Sequence, residues 1–341
     1  MIHISEEKLD RIFKQATGKK ILVFGDLMVD EYLWGEVSRL SPEAPVPIVD
    51  IAEEQLRFGG AANVANNLIG LQATPILVGV VGRDRMGDVF REMLEKRNLP
   101  ADGIVVAENR PTTVKTRIIG NDQHIARVDK ETTGPISGEI QEAIFKICVA
   151  HMDEIEAVII QDYNKGVVVP QLVERITGLV NRQGKYITVD PKFENFLSFK
   201  NVSVFKPNTK ETEEALALRI RSEADVMKAG KSLLEKLHSR AVLITRGAQG
   251  MALFEENGEV TFVETRARKV ADVSGAGDTV IATLSYALAG GANMKEAVTL
   301  SNYAAGAVCE EVGVVPILRK KLIKAVLKNQ NNLNSGKRKK S

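Results

Sequence analysis

A glycine-rich turn that runs directly into an apolar stretch dominates the C-terminal part of this chain. The segment is Asp272-Val-Ser-Gly-Ala-Gly-Asp-Thr279, followed by Val-Ile-Ala-Thr-Leu-Ser-Tyr-Ala-Leu. Glycines let backbone N–H groups approach an anion closely, and a helix start adds unpaired N–H groups and the positive end of its dipole. We therefore predict an anion hole at Gly275, Ala276 and Gly277 that receives a phosphoryl group, with Asp278 beside it as a base.

Asp278 also has a purely structural interpretation. Acidic residues favour the first turn of any helix because they interact with its dipole. The ordinary carboxyl pKa of about 3.9 predicts that the side chain is ionised at neutral pH and able to accept a proton. Neighbouring motifs are needed to choose between the two interpretations.

Composition sets the outer limits on fold and function. The chain has 341 residues and a formal net charge of +2, and four of its cations lie in the final segment Lys337–Lys340. The remaining sequence is thus slightly acidic, which argues against a nucleic-acid-binding protein. Cys148 and Cys309 lie in apolar helical patterns, which argues against a disulfide framework and fits the cytoplasm. No apolar run approaches the ~18 residues that a membrane helix needs, so we expect no membrane partner.

Short β-rich runs alternate with helical patterns along most of the chain. Examples are Lys20–Phe24, Ala157–Ile160 and Tyr186–Asp190, which are apolar at successive positions and bounded by turn residues. This alternation predicts an α/β fold: a doubly wound, mainly parallel sheet flanked by helices, with the site at the carboxyl ends of the strands. We expect one domain over residues 1–330, and a disordered basic tail at 331–341 because that segment lacks apolar periodicity.

Two segments interrupt this rhythm. Residues 32–51 and 113–129 alternate between polar and apolar side chains and contain no helical pattern. They predict a small antiparallel β sheet that stands off the main sheet as a lid. A decorative edge hairpin is the alternative interpretation.

Several common nucleotide and metal motifs are missing from the sequence. It contains no G-x-x-x-x-G-K-[ST] motif, and its first strand is followed by Gly25-Asp26 rather than by G-x-G-x-x-G. The four histidines lack the spacing of zinc ligands. These observations argue against a P-loop protein, a Rossmann dehydrogenase and a zinc enzyme.

Three further patterns fit the chemistry of the glycine-rich turn. Gly59, Gly60 and Asn63 open a helix and could hydrogen-bond the hydroxyls of a polyol. Asn208 and Glu211 follow a strand and could hold water around a divalent cation. The segment Thr245–Gly250 offers hydroxyl, guanidinium and N–H donors for a polyphosphate. Ordinary helix caps and surface residues are the competing interpretations of the first two patterns.

These motifs together resemble one known family. Gly59–Asn63 and Asp272–Asp278 resemble the two signatures of the ribokinase-like, or PfkB, carbohydrate kinases, and Asn208-x-x-Glu211 resembles the metal-associated motif between them. Order and spacing agree over about residues 18–328. Within the family, additional segments resemble the kinases of heptose 7-phosphate: Ser38–Pro47, Asp162–Gly166, Asp190–Lys192, Lys206–Asn208 and Thr245–Met251.

The resemblance implies a reaction. It implies ATP-dependent phosphorylation of the anomeric 1-hydroxyl of D-glycero-D-manno-heptose 7-phosphate, with Mg²⁺ and possible use of a monovalent cation, in the synthesis of a lipopolysaccharide-core precursor. Ser274 stands where the family more often has Thr, which keeps a hydroxyl. No adenylyltransferase sequence follows, so we expect the single-function form of this kinase. A kinase for fructose phosphate, ribose or a nucleoside, and a non-catalytic nucleotide-binding protein, are the alternatives.

The resemblance also assigns roles to individual residues and suggests a homodimer formed through the lids. Metal binding through water falls to Asn208 and Glu211. Sugar hydroxyls are expected at Asp26, Asp30, Gly59, Gly60 and Asn63, and the sugar phosphate at Lys165, Arg39, Arg117 and Arg127. ATP is expected at Lys192, Asn208, Thr245, Arg246, Gly247, Gly250 and Asn302, with adenine near the loop 312–315.

Overall fold

The computed structural model describes residues 3–265, 271–311 and 313–338, with side chains as far as Lys328. Its strands are β1 (Lys20–Gly25), β2 (Leu27–Leu40), β3 (Pro47–Gly60), β4 (Thr74–Gly82), β5 (Ile104–Ala107), β6 (Thr113–Gly120), β7 (Gln123–Lys130), β8 (Ile155–Gln161), β9 (Tyr186–Asp190), β10 (Val204–Phe205), β11 (Ala241–Thr245), β12 (Met251–Glu255) and β13 (Val260–Val263). Its α-helices are α1 (Glu6–Ala16), α2 (Ala61–Gly70), α3 (Arg85–Glu95), α4 (Gly138–His151), α5 (Pro170–Arg182), α6 (Thr209–Leu216), α7 (Glu223–Leu237), α8 (Ala276–Ala289), α9 (Met294–Val308) and α10 (Arg319–Arg338).

The main sheet confirms the predicted doubly wound α/β architecture. Within the described residues it has nine strands in the order β13-β12-β11-β10-β9-β8-β1-β4-β5. All pairings from β5 across to β11 are parallel, whereas β12 and β13 pair antiparallel at one edge. The chain leaves β1 toward β4 on one side and later returns to β8 on the other, so a crevice opens beyond the carboxyl end of β1.

Alternating side chains of the strands feed two hydrophobic cores, one on each face of the sheet. In β1, Ile21 and Val23 pack with α1, α2, α8 and α9, whereas Leu22 and Phe24 pack with α4, α5 and α7. Helix α8 is buried from Asp278 to Leu288, which explains why its sequence is apolar around the whole helix. The glycine-rich turn that begins α8 is therefore anchored to the centre of the molecule.

The predicted lid is present as a second sheet, with strand order β3-β2-β6-β7. Each hairpin is antiparallel, as expected, but β2 and β6 join the hairpins in parallel. The strands are also longer than the predicted segments, because β2 starts at the buried Leu27 and β3 ends at the buried Gly60. The lid is thus rooted in the crevice, while all of β7 is exposed.

The described backbone of α10 continues to Arg338, and residues 339–341 lie outside the described part of the chain. A disordered tail at 331–341 therefore stays a prediction, as does the domain limit at residue 330. Among the described residues, no helix combines the length and apolar character needed to cross a lipid bilayer.

Candidate active site

Two cavities meet in the crevice beyond the carboxyl end of β1. The large cavity measures about 600 Å³ and the small cavity about 220 Å³. Tyr163, Gly275 and Asp278 line both of them. The glycine-rich turn therefore lies at the junction of two compartments, each the size of a small-molecule site.

The turn presents the start of α8 to both cavities. Gly275 is the N-cap residue, with φ +75°, a left-handed conformation that glycine adopts at little cost. Within the described chain no side chain caps this helix end, which leaves its positive pole available to an anion. A Cβ atom on Gly277 would lie at an ordinary contact distance of 3.6 Å from both the Lys206 Nζ and an Asp190 carboxylate oxygen, so the turn lies beside these two charged groups. Of the three residues of the predicted anion hole, Ala276 has its N–H occupied by a 3.2 Å hydrogen bond to the Val273 carbonyl, so the hole stays a prediction for Gly275 and Gly277.

Three donors from separate elements hold the Asp278 carboxylate. Oδ2 accepts a hydrogen bond of 2.7 Å from Nδ2 of Asn63. Oδ1 accepts one of 3.1 Å from Nε2 of Gln161 and one of 2.9 Å from the hydroxyl of Tyr163. The Gln161 amide also donates to Asp190, at 3.2 Å, and so links two buried carboxylates.

Burial raises the pKa of Asp278 to about 7. Desolvation is the main cause and the charge of Asp190 adds to it, whereas the Asn63 and Tyr163 hydrogen bonds and Lys206 lower the pKa. The expectation of an ordinary, fully ionised carboxylate was therefore wrong. A group that titrates near neutrality is well matched to accepting a proton from a hydroxyl.

Two acceptor atoms near this carboxylate lack a partner. Among the described side chains, Oδ1 of Asn63 and Oε1 of Gln161 are buried and make no hydrogen bond. Buried polar atoms are nearly always hydrogen-bonded, so an unpaired acceptor in a cavity wall calls for a donor from outside the chain. Asn63 lines the small cavity, where a hydroxyl would supply that donor.

Asp30 lines the small cavity and is buried. It forms an ion pair of 2.5 Å with Arg117. A Cβ atom on Gly59 would come within 2.4 Å of its Oδ2, so only glycine lets β3 run beside this carboxylate. Gly59 therefore lies beside Asp30 without lining the small cavity, whereas Gly60 lines it.

The four predicted phosphate-binding cations are placed differently from one another. Arg117 lines the small cavity, while Lys165 lies beside it in an ion pair of 2.8 Å with Glu131. Arg127 lies on the exposed β7 and pairs with Asp129. Arg39 is exposed near the distal end of β2 and lines neither cavity.

Lys115, which belongs to none of the sequence motifs, also lines the small cavity. Its Nζ lies 2.8 Å from Asp129 and 2.9 Å from Glu131. Glu131 thus joins Lys115 to Lys165, and the two lysines form one charged cluster at the cavity edge. Alternation along β6 could have identified Lys115, since it lies two residues before Arg117 on the same face.

Asp26 has a structural role in place of the predicted contact with sugar. It is fully buried and lines neither cavity. Its carboxylate accepts hydrogen bonds from the backbone N–H groups of Tyr163 at 2.6 Å, Lys165 at 3.1 Å and Val167 at 3.2 Å. Asp26 therefore fixes the loop that carries Tyr163 and Lys165.

Most of the predicted ATP residues line the large cavity. These are Lys192, Asn208, Thr245, Gly247, Gly250 and Asn302, together with Glu211. Arg246 is the exception, because its guanidinium packs on Phe262, 5.4 Å from the ring centroid, and bonds Gln249. Val314 of the loop expected near adenine lines the small cavity instead, and Val312 lies outside the described residues.

Asn208 and Glu211 form a reciprocal capping box at the start of α6. Each accepts a 2.8 Å hydrogen bond from the other's backbone N–H. The second Glu211 oxygen pairs with Lys192. The ordinary capping interpretation of this motif is therefore correct, and the carboxylate still faces the large cavity.

Lys206 and Asp190 are two further site residues to which the sequence motifs assigned no role. They form a buried ion pair of 2.9 Å on the wall of the large cavity. Both stand where a parallel strand ends, at β10 and β9, and this position is the sequence signal that could have identified them.

Comparison with known proteins agrees with this architecture. Residues 18–321 match the model of the pfkB family carbohydrate kinases. The chain is 44% identical over 295 residues to the bifunctional protein HldE of Helicobacter pylori, covering 86% of this chain and 64% of that protein. It is 38% identical over 310 residues to the HldE of Geobacter sulfurreducens, covering 91% of this chain and 63% of that protein. The chain thus spans less than two thirds of the length of these relatives.

Solved structures show the same fold at low sequence identity. Ribokinase from Arabidopsis thaliana, solved with ribose and ATP, superimposes with a TM-score of 0.72 at 20% identity, covering 91% of this chain and 99% of that one. Phosphofructokinase-2 from Escherichia coli, solved with fructose-6-phosphate, gives a TM-score of 0.73 at 18% identity, covering 92% and 99%. The match over residues 18–321 and the shared fold establish that the chain belongs to the PfkB family of carbohydrate kinases and is a sugar kinase.

Proposed function

We propose that this kinase transfers the γ-phosphoryl group of ATP to the anomeric hydroxyl of D-glycero-D-manno-heptose 7-phosphate. One observation carries the proposal: Asp278 and the start of α8 lie where the large and small cavities meet. A nucleotide in the large cavity and a sugar in the small cavity would meet at that point. The resemblance of several segments to heptose 7-phosphate kinases selects the sugar.

The proposed chemistry follows from the hydrogen bonds of Asp278. The sugar hydroxyl gives its proton to the carboxylate while its oxygen bonds to the γ-phosphorus, and the bond from that phosphorus to the ADP oxygen breaks. The N–H groups of Gly275 and Gly277 and the helix dipole stabilise the negative charge on the transferred phosphoryl group, whereas the Ala276 N–H already donates to the Val273 carbonyl. Lys206 and Lys192, on the wall of the large cavity, add positive charge on the nucleotide side.

The charges around the small cavity support a phosphorylated sugar rather than a neutral one. Lys115, Arg117 and Lys165 gather at one side, where each is paired with a carboxylate. A sugar phosphate brings charged oxygens that can accept hydrogen bonds from the same donors. We propose Lys115, Arg117 and Lys165 as the phosphate-binding residues, with Asp30, Gly60 and Asn63 contacting sugar hydroxyls.

The large cavity fits ATP with Mg²⁺. Two of the carboxylates that line it, Glu211 and Asp190, are already paired with lysines, and no group of three or more metal-ligating side chains occurs among the described residues. This donor set suits Mg²⁺, which keeps several waters and binds through few carboxylates and the phosphates of its substrate. Asn208 and Glu211 would hold the ion through water, and the bound ion would neutralise phosphate charge. Use of a monovalent cation is part of the same proposal.

The proposal extends to assembly and location. Side chains alternate along β7, so Val128 lies on the face of the lid opposite Asp129 and is 56% exposed. Ile51 on β3 is 48% exposed. These apolar side chains support a homodimer formed through the lids. We also propose a cytoplasmic enzyme that acts without nucleic acid or membrane.

A substrate panel in an ADP-release assay tests the proposed function. Heptose 7-phosphate, fructose 6-phosphate, ribose and adenosine are compared at equal concentration with ATP and Mg²⁺. We expect the highest kcat/KM with heptose 7-phosphate, and low values with ribose and adenosine, because only a phosphorylated acceptor brings charged oxygens that accept hydrogen bonds from the three cations. A higher value with another acceptor would identify a different kinase of the family, and ATP binding without turnover would indicate a non-catalytic protein.

A further inference from the structure

Tyr163 lies between the two cavities and touches the groups on either side of the reaction centre. It follows β8 by two residues and lines both cavities. Its hydroxyl donates a 2.9 Å hydrogen bond to Oδ1 of Asp278. The Nζ of Lys192, a cation of the large cavity, lies 5.6 Å from the centre of its ring. A single side chain thus contacts the proposed base and the nucleotide side.

The backbone around Tyr163 is fixed rather than loose. The buried carboxylate of Asp26 accepts hydrogen bonds from the N–H groups of residues 163, 165 and 167. Arg110 reinforces the loop by donating to the Lys165 carbonyl. The phenol is consequently placed by a buried framework, so its bond to Asp278 restricts the carboxylate and not merely the tyrosine.

The two oxygens of Asp278 are not equivalent. Oδ1 accepts from both Gln161 and Tyr163, whereas among the residues that the structure describes Oδ2 accepts from Asn63 alone. A carboxylate oxygen offers about two lone-pair positions, so Oδ1 is filled and Oδ2 keeps one position open. The open position is the one that can receive a proton from the sugar.

We propose that Tyr163 is a positioning residue whose hydroxyl occupies Oδ1 of Asp278 and so directs the transferred proton to Oδ2 of that carboxylate. The inference rests on the proposed role of Asp278 as the base. It assigns to Tyr163 a function in turnover, which the fixed loop and the two unlike carboxylate oxygens support.

The charges around the pair agree with this role. Asp190 at the end of β9 raises the pKa of Asp278, and Lys206 after β10 lowers it. The Tyr163 hydrogen bond also lowers that pKa. Burial and the nearby carboxylates of Asp278, Asp190 and Asp30 raise the pKa of the phenol well above its usual value, so the hydroxyl keeps the proton that it donates.

The pH dependence of Tyr163→Phe tests the proposal, measured as kcat/KM for the panel's best phosphoryl acceptor. The base is active when ionised, and loss of a donor raises its pKa, so the acid limb of the profile should move to higher pH. One hydrogen bond to a charged group corresponds to a shift of about one pH unit. Above that limb the variant should recover to within a few-fold of the unmodified enzyme.

Tyr286→Phe is the matched control, because it removes the same oxygen from a buried tyrosine that bonds the Phe13 carbonyl at 3.4 Å. Its acid limb should stay in place. Incorporating 3-fluorotyrosine at position 163 keeps the side chain's shape and strengthens the donor, so the limb should then move to lower pH. If circular dichroism shows that Tyr163→Phe does not fold, the 3-fluorotyrosine variant still tests the proposal.

Several outcomes would overturn the proposal. An acid limb that stays fixed in both Tyr163 variants, with or without a uniform loss of rate, would show that the hydroxyl does not act through Asp278. Failure of the proposed function would give a different result. The unmodified enzyme would then release no ADP in response to sugar, or Asp278→Asn would turn over normally.

Discussion

The Nδ2 of Asn63 donates a 2.7 Å hydrogen bond to the Oδ2 of Asp278, two residues that are 215 positions apart in sequence. The bond joins the first turn of α2 to the first turn of α8. The motif expected to bind sugar hydroxyls therefore contacts the motif expected to transfer the phosphoryl group. A hydroxyl that reaches the unpaired Oδ1 of Asn63 lies next to the Asp278 carboxylate.

Replacing Asp278 by Asn should remove the base and leave the fold intact. The amide of Asn63 can turn so that its unpaired oxygen accepts from the new amide, which preserves the contact. Positioned general bases contribute roughly 10²- to 10⁴-fold, so we expect kcat to fall by at least the lower figure. Calorimetry should show near-normal ATP affinity. A variant with near-normal kcat would exclude Asp278 as the base.

The same substitution should change the pH dependence of stability. The pKa of Asp278 is about 7 in the folded chain against 3.8 ordinarily, so the fold favours the neutral carboxyl. Its contribution is greatest below pH 4 and declines until about pH 7, because over this range the unfolded carboxyl is ionised while the folded one still keeps its proton. Asn is neutral throughout, so the free energy of unfolding of Asp278→Asn should exceed that of the unmodified protein increasingly over this range, by on the order of a few kcal/mol at pH 8.

Denaturant unfolding at pH 4.5 and pH 8 measures this difference. Asp162, whose pKa burial also raises to about 7, is present in both proteins and cancels in the comparison. A difference in unfolding free energy that is the same at both pH values would contradict the raised pKa of Asp278.

The sequence predicted the fold well because its signals were local. The parallel strands were predicted from short apolar runs, and the start of α8 from the glycines and apolar stretch that define it. The parallel pairing of β2 with β6 was not predicted, because pairing between distant segments leaves little local pattern. The β12–β13 hairpin was missed although its turn contains Asn257-Gly258, a local hairpin signal.

The side chains of the site were harder to predict, because their roles depend on tertiary contacts. Asp26 and Asp30 follow β1 and look alike in sequence, yet Asp26 binds three backbone N–H groups and Asp30 faces a cavity. The pKa of Asp278 depends on burial and on Asp190, which is distant in sequence. Neither property is visible in a motif.

Removing the lysines of the small-cavity cluster should weaken binding of a sugar phosphate. For Lys115→Ala and Lys165→Ala we expect KM for the sugar phosphate to rise more than KM for ATP. Charge-assisted hydrogen bonds are worth about 1.5–3 kcal/mol, which corresponds to roughly 10- to 100-fold in kcat/KM. Lys236→Ala on the exposed surface of α7 is the control. Unchanged KM values in both variants would move the phosphate contact to Arg117.

A charged side chain on the face of the lid that carries Val128 should dissociate a dimer that forms through the lids. Val128→Glu places a carboxylate on an apolar surface that would be buried between two copies, where an unpaired charge is costly. Val149→Glu alters an equally apolar side chain on α4, 47% exposed and outside the lid. Light scattering should show dimers for the unmodified protein and Val149→Glu, and monomers for Val128→Glu. A monomeric unmodified protein at micromolar concentration would refute the dimer.

Gly313→Ala should loosen the contact between the lid and the loop beside Gly275. Arg57 on β3 donates a 3.2 Å hydrogen bond to the Val314 carbonyl. A Cβ atom on Gly313 would lie 2.4 Å from the Nη1 of Arg57. The guanidinium can swing away, so the fold should survive, but the hydrogen bond is lost. Because Val314 lines the small cavity, KM for the sugar phosphate should rise several-fold while KM for ATP changes little.

Gly258→Ala separates this effect from backbone strain. Both glycines have positive φ, +80° at Gly313 and +86° at Gly258, but a Cβ on Gly258 meets nothing within 4 Å. Each substitution should lower the unfolding free energy by about 1 kcal/mol through the left-handed backbone, and only Gly313→Ala should alter KM. In Arg57→Ala the contact is already absent, so adding Gly313→Ala should then leave KM unchanged. A further rise in KM for that double variant would show that Gly313 acts independently of Arg57.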